Sequence, residues 1–192
     1  AFVTLGIKPT YPNTGYGYIQ YDTSFAKEEN VFKVKTFTEK PDLELAKTFL
    51  SSGEFLWNAG IFMWDVKNVL NAFEEYQPEM YELFAAEKNN FNSAEEKPAL
   101  DRIYPVCVSI SIDYAIMEKA NNVFVIPAEF GWSDRGTWNS AYANLAKDEK
   151  TGNAITSENV IIFGTVNSMI SSNDEKLLVL QGLEDFIVVD TE

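Results

Sequence analysis

From Phe2 to about Asp148 the chain alternates strand-like runs with amphipathic, helix-like runs, and the alternation stops after Lys147-Asp148-Glu149-Lys150-Thr151-Gly152. Alternation of this kind implies an α/β layered domain with a largely parallel or mixed sheet. Beyond Gly152 the runs Asn159–Phe163, Ser168–Ser171, Leu177–Leu180 and Phe186–Val189 read as short strands. Gly164, Asn167, Asn173-Asp174 and Gly182 separate them, at the spacing of a small all-β unit with only a loose repeat. The expected division is therefore 1–150 and 151–192. Some forty residues are too few for a comfortable independent core, so the second part needs support from the first.

Local signals place the elements. Phe2–Ile7 reads as a buried strand, and Gly15–Tyr21 and Val31–Phe37 are extended and rich in aromatic and β-branched residues. Asp42–Leu50 reads as a helix with Leu43, Ala46, Phe49 and Leu50 inward and Ser52-Gly53 as its stop. Phe55–Trp64 is an apolar strand, after which Asp65 caps a helix expected to bury Val66, Val69, Leu70 and Phe73. Helical runs are expected from Pro78, over Glu95–Tyr104, over Ser111–Ala120 with Ser111 as cap, and over Thr137–Leu145. Val123–Ile126 is a short buried strand. Phe2–Ile7 is too apolar for an exposed edge. It reads as the middle of a sheet whose other strands come from elsewhere, which suggests a piece of a longer protein.

Composition narrows the chemistry. Hydrophobic residues at 46% and charged residues at 23% describe a globular chain rather than a disordered one. A net charge of −14 opposes encounter with nucleic-acid backbones and anionic membranes. No apolar run is long enough to span a bilayer. The single cysteine, Cys107, leaves no internal disulfide and is compatible with a reducing compartment. With no histidine, the usual general base and histidine-ligated metals are excluded. Chemistry must rest on carboxylates, lysines, backbone dipoles and a hard cation such as magnesium.

Several short motifs can carry such chemistry. Thr14-Gly15-Tyr16-Gly17-Tyr18 allows close backbone approach to a ligand, or is a simple turn into a strand. In Thr38-Glu39-Lys40-Pro41, Glu39 is suited to accept from hydroxyls and Lys40 to neutralise a phosphate; the pair is equally compatible with an ordinary surface. Asn58, in Trp57-Asn58-Ala59-Gly60-Ile61-Phe62, is an amide amid apolar residues that either ties down backbone or faces a pocket. Asp113 suits the first turn of a helix. In Gly131-Trp132-Ser133-Asp134-Arg135-Gly136, Asp134 is a helix cap or a metal ligand.

In this order, these motifs resemble the mannose-1-phosphate guanylyltransferase (GDP-mannose pyrophosphorylase) family of sugar nucleotidyltransferases. The match includes Gly6-Ile7-Lys8-Pro9-Thr10, Ser111-Ile112-Asp113-Tyr114-Ala115-Ile116-Met117-Glu118-Lys119 and Gly182-Leu183-Glu184-Asp185-Phe186-Ile187-Val188-Val189-Asp190-Thr191, and so extends over essentially the whole chain. The resemblance implies a partial Rossmann-like domain with a mixed sheet, then a small β segment. It also implies transfer of GMP from GTP to mannose 1-phosphate in the cytoplasm. Gly15, Tyr16 and Gly17 would line the sugar side, Glu39, Asn58, Gly60 and Asp113 would serve the sugar, Lys40 would hold the sugar phosphate, and Asp134 would bind Mg2+. The family's Gly-rich, Arg-containing triphosphate loop and first metal aspartate are not found in this sequence. The resemblance is thus to the sugar-phosphate half, expected to be inactive alone. The alternatives are another hexose 1-phosphate or base, or a non-catalytic sugar-phosphate sensor. An oligomer of identical chains is left open.

Overall fold

The computed structural model describes residues 1–173 and 176–191, so Asp174 in the turn expected before the ninth strand lies outside the described residues. The fold divides into two compact units, Ala1–Trp132 and Ser133–Glu192. The composition change at 147–152 falls inside the second.

The first unit is a mixed sheet with helices. Its strands are β1 (Phe2–Ile7), β2 (Tyr18–Glu28), β3 (Val31–Thr38), β4 (Phe55–Trp64) and β5 (Val123–Ala128). They pair in the order β1-β4-β2-β3-β5, and the sheet closes because β5 also pairs with β1. Only the β1–β5 ladder within it is parallel. Both neighbours of β1, β4 and β5, come from this chain, which corrects the expectation that they would be supplied from elsewhere.

Period-2 alternation gives the sheet two apolar faces. One carries Phe2, Ile19, Phe37, Leu56, Val123 and Val125 in a single cluster, while Ile7, Tyr18 and Trp57 join a second cluster. Gly6 sits where the β1–β4 register shifts, between Leu56 and Val125. A Cβ there would lie 2.6 Å from Leu56 Cδ1 and 2.7 Å from Val125 Cγ2. Gly6→Ala is therefore expected to destabilise the unit by about 1–3 kcal/mol, read as a lowered denaturant midpoint, because the overpacked strand must shift. An unchanged midpoint would mean that the sheet absorbs a methyl at no cost.

Local chemistry sets the helices. In α1 (Leu43–Ser52) the Asp42 side chain accepts from Leu45 N and Gly53, at φ 69°, ends the helix. Ala46 and Phe49 are buried, but Leu43 is 48% exposed. In α2 (Val66–Tyr76) Asp65 accepts from Lys67 N and Asn68 N. Its inward face is Val69, Ala72, Phe73 and Tyr76. This i, i+3, i+4, i+7 stripe turns Val66 and Leu70, expected inside, to 69% and 50% exposure. Helices α3 (Pro78–Ala86) and α4 (Glu96–Ile103) follow.

The helix expected over 111–120 is instead a short π-helical turn, Asp113–Met117, widened by the bond from Glu118 N to Asp113 O at 3.0 Å. Ser111 gives it no side-chain cap; the N-cap position is Ile112. Asp113 lies in the first turn, as expected, and its side chain is used in the site described below. Among the described residues no helix is long and apolar enough to cross a membrane.

The second unit begins with α5 (Trp138–Asn144), capped by a reciprocal box between Thr137 and Ser140. Strands β6 (Ala154–Ile155), β8 (Met169–Ser171) and β10 (Ile187–Val189) form one parallel sheet, and β7 (Val160–Phe163) and β9 (Leu178–Gln181) another. Val160 pairs with Leu178, Val166 with Glu184 and Met169 with Ile187, each eighteen residues on, while Ala154 pairs with Met169, fifteen residues on. Parallel ladders at a near-constant offset, here eighteen residues for two of the three ladders and the bridge, are the signature of stacked solenoid coils. The corners repeat as well: Gly164 and Gly182 have φ 58° and 67°, Asn167 and Asp185 have φ 52° and 61°.

Candidate functional site

Strand parity brings three of the motif residues to one face of the first unit, and the π-helical turn adds a fourth. Gly17 shares the parity of Ile19, Glu39 that of Phe37, and Asn58 that of Leu56, all members of one cluster. Pairing sets these segments side by side: Tyr18 lies opposite both Thr38 and Trp57, and Asn58 N donates to Gly17 O at 2.8 Å. The π-helical turn, whose Ala115, Ile116 and Met117 belong to the same cluster, supplies Asp113, and Asn58 Nδ2 donates to Asp113 Oδ1 at 3.0 Å. Asn58 Oδ1 accepts from Thr4 Oγ1 at 3.0 Å and from Gly60 N at 3.2 Å. The amide therefore has one Nδ2–H with no acceptor among the described residues.

Glu39 is the unusual group. Its side chain is 9% exposed, and Oε2 is buried with no hydrogen-bond partner among the described residues. Its backbone is clamped, with Glu39 N donating to Glu118 Oε1 at 3.0 Å and Tyr114 Oη donating to Glu39 O at 3.4 Å. Burial pushes the Glu39 carboxyl above the usual carboxylate range, and the charges of Asp113 and Glu118 add to the rise, against the opposing pull of Lys40. Gly17 makes room for this carboxylate: a Cβ at that position would lie 2.5 Å from Oε2 and 3.6 Å from Asn58 Nδ2. The acceptor at Glu39 and the donor at Asn58 thus both lie close against Gly17, where a side chain would displace them.

Lys40 lies beside Glu39. Its Nζ is 3.3 Å from Glu39 Oε1, yet its side chain is 58% exposed. Its φ of 45° is a left-handed conformation unusual for a residue with a Cβ. The following residues explain the turn: Pro41 is buried and Asp42 caps α1.

An aromatic wall adjoins these residues in sequence. Tyr11 and Tyr16 meet Trp57 edge to face at 5.0 and 5.1 Å, and Tyr16 meets Trp132 at 5.2 Å. Gly15 stands apart in the loop, where its N–H bonds Asn13 Oδ1 at 2.7 Å. Gly60, at φ 69°, contributes through its N–H to Asn58. Asp134 belongs to the second unit. Its Oδ1 accepts from Gly136 N at 2.8 Å, and Thr137 rather than Asp134 caps α5, which removes the capping reading. Among the described residues no group of three or more His, Cys, Asp or Glu side chains is placed to hold a metal ion. Asp134 Oδ2 has no protein partner among them and is a hard oxygen donor, the chemistry of one magnesium ligand.

Thr4, Tyr114 and Glu118 were not identified as site residues from sequence. Thr4 had a signal, a hydroxyl in the middle of an apolar strand. Glu118 and Tyr114 had none, because their part is played against the backbone of a residue more than seventy positions away.

Residues 1–151 match the family model described as nucleotidyl transferase. Mannose-1-phosphate guanylyltransferase of Escherichia coli is 34% identical over 193 residues, covering 99% of this chain and 41% of that protein. The alginate biosynthesis protein AlgA of Pseudomonas syringae pv. tomato is 36% identical over 195 residues, covering 99% and 39%. The crystal structure of mannose-1-phosphate geranyltransferase from Thermus thermophilus superposes with a TM-score of 0.77 at 27% identity, over 100% of this chain and 53% of that one. The chain therefore spans about 40% of the length of these curated relatives. With most of its length matched to that model and a mixed sheet of the same fold, the chain belongs to the nucleotidyl transferase family.

Proposed function

We propose that the first unit is the sugar-phosphate side of a nucleotidyl transfer, with mannose 1-phosphate as its ligand. The overall reaction would be GTP and mannose 1-phosphate giving GDP-mannose and pyrophosphate. The observation that carries this reading is the buried, unpartnered Glu39 Oε2, which lies against Gly17 together with the Asn58 amide and its unused N–H. A hydroxyl is the group that answers both, since it donates to a carboxylate while accepting from an amide. Sugars present such hydroxyls at fixed spacing. Lys40, exposed on its four-carbon stem, is suited to neutralise the phosphate as a point charge. Tyr16 and Gly15 would border the sugar and Gly60 would hold Asn58 in place. The names of the relatives supply mannose 1-phosphate and the guanylyl group.

Asp134 would be one ligand of a magnesium ion, whose chemistry when bound is to offset charge developing on the phosphate oxygens. The in-line attack by the sugar phosphate on the α-phosphorus of GTP needs no protein nucleophile, in keeping with a chain that has no histidine. Titration calorimetry of the 192-residue chain with mannose 1-phosphate tests the reading. Binding is expected, and Lys40→Ala should weaken it about 10- to 100-fold, the loss of one charge-assisted contact. Equal binding by both chains would remove Lys40 from the phosphate, and no binding by the unaltered chain would overturn the reading.

A further inference from the structure

Thr4 is the exception in β1. Phe2, Val3, Leu5 and Ile7 around it are apolar, and Thr4 itself is 0% exposed, so it cannot touch a ligand. Valine would fill the same space with no hydroxyl to satisfy, so the hydroxyl has to be accounted for by its partner. That partner is Asn58 Oδ1, at 3.0 Å. Gly60 N reaches the same oxygen only at 3.2 Å, while Asp113 takes one Nδ2–H from the other end of the amide.

The three contacts have different effects. A flipped amide would set Nδ2 against the Gly60 N–H and Oδ1 against the Asp113 carboxylate, so those two groups fix which way the amide faces. Thr4 sits beneath, and its bond fixes where the amide stands. Donation to Oδ1 also polarises the amide and strengthens the remaining Nδ2–H as a donor. On the sugar-phosphate reading above, we infer that Thr4 is a positioning residue for sugar recognition, holding the free N–H of Asn58 toward a substrate hydroxyl from inside the sheet.

Calorimetry with mannose 1-phosphate on the unaltered chain, Thr4→Val and Thr4→Ser tests this. Thr4→Val keeps the packing and loses the hydroxyl, and should bind about five- to tenfold more weakly. Thr4→Ser loses a methyl and keeps the hydroxyl, and should bind within about twofold of the unaltered chain while being less stable. A purely structural role gives the opposite order, with Val harmless and Ser impaired. The side-chain amide signals of Asn58 in 1H–15N spectra should move in Thr4→Val and stay in Thr4→Ser. If Thr4→Val does not fold, Thr4→Ala against Thr4→Ser makes the same comparison, both lacking the methyl. Binding by the unaltered chain that is matched by Thr4→Val overturns the inference alone. Absence of binding by the unaltered chain overturns it together with the sugar-phosphate reading.

Discussion

Glu39→Gln is expected to stabilise the first unit at neutral pH and, in the same protein, to weaken mannose 1-phosphate binding about 10- to 100-fold. Both effects come from one buried oxygen. Burial raises the Glu39 carboxyl above its ordinary value, and Asp113 and Glu118 raise it further. The native chain therefore holds that proton more tightly than the unfolded chain does. Stability contributed by the group is greatest below the unfolded value of about 4.3, falls as pH rises through the folded value, and stays reduced at neutrality. Glutamine removes the ionisation and keeps the shape. It also gives up the ion pair with Lys40, which is solvent-exposed at the lysine end and contributes little. Thermal melts of the two chains should therefore separate at about pH 7, with the variant higher, and converge at about pH 4, where Glu39 regains its proton. A variant that melts lower at neutrality, or a gap that does not narrow in acid, would show that the carboxylate is well solvated in the folded chain. Sugar affinity follows the opposite course, because the charged acceptor is what a hydroxyl would bond. A residue that costs stability when empty and binds when filled is the behaviour expected of a preorganised site.

Features decided within a few residues were legible in the sequence. Asp65 is a cap because an oxygen at that position meets free N–H groups, and Gly53 ends α1 because it takes a positive φ without strain. The bounds Phe55–Trp64 of β4 were likewise readable from the apolar run. What escaped depended on partners distant in the chain. The inward stripe of α2 is set by the cluster it packs on, so Val66 and Leu70 could pass for core on hydrophobicity alone. Asp113 does lie in the first turn, as read from the sequence, but its bond from Asn58, fifty-five positions earlier, was not visible there. The eighteen-residue repeat was hidden because Gly164-Thr165-Val166-Asn167-Ser168-Met169 and Gly182-Leu183-Glu184-Asp185-Phe186-Ile187 share a backbone path rather than identities. Within the site, Glu39, Lys40, Asn58 and Gly17 were marked by type and spacing; that they converge was visible only once strand parity and pairing were known.

Asn153→Ala is expected to remove about 2–4 kcal/mol from the second unit, enough to unfold its first coil, given that domains of this size are only marginally stable. Asn153 is 1% exposed and lies immediately before β6. Its Nδ2 donates to Thr165 O at 2.7 Å, and its Oδ1 accepts from Ser168 N at 2.9 Å. Thr165 and Ser168 are themselves 1% and 0% exposed, so water cannot replace the lost partner. One side chain thus satisfies a buried carbonyl and a buried N–H across the corner that leads from β7 to β8. Alanine leaves both unpaired. Asn153→Asp discriminates between the two bonds: it still accepts from Ser168 N but turns a carboxylate toward the Thr165 carbonyl. It should therefore be the less stable of the two variants at neutral pH and recover when acid restores a donor. Denaturant melts give the free energies, and amide exchange at Ser168 and Met169 locates them, since these N–H groups should lose protection first. Should alanine melt with the unaltered chain and Ser168 stay protected, the corner would be held by its backbone turn alone, with Gly164 and Asn167 sufficient to set the coil.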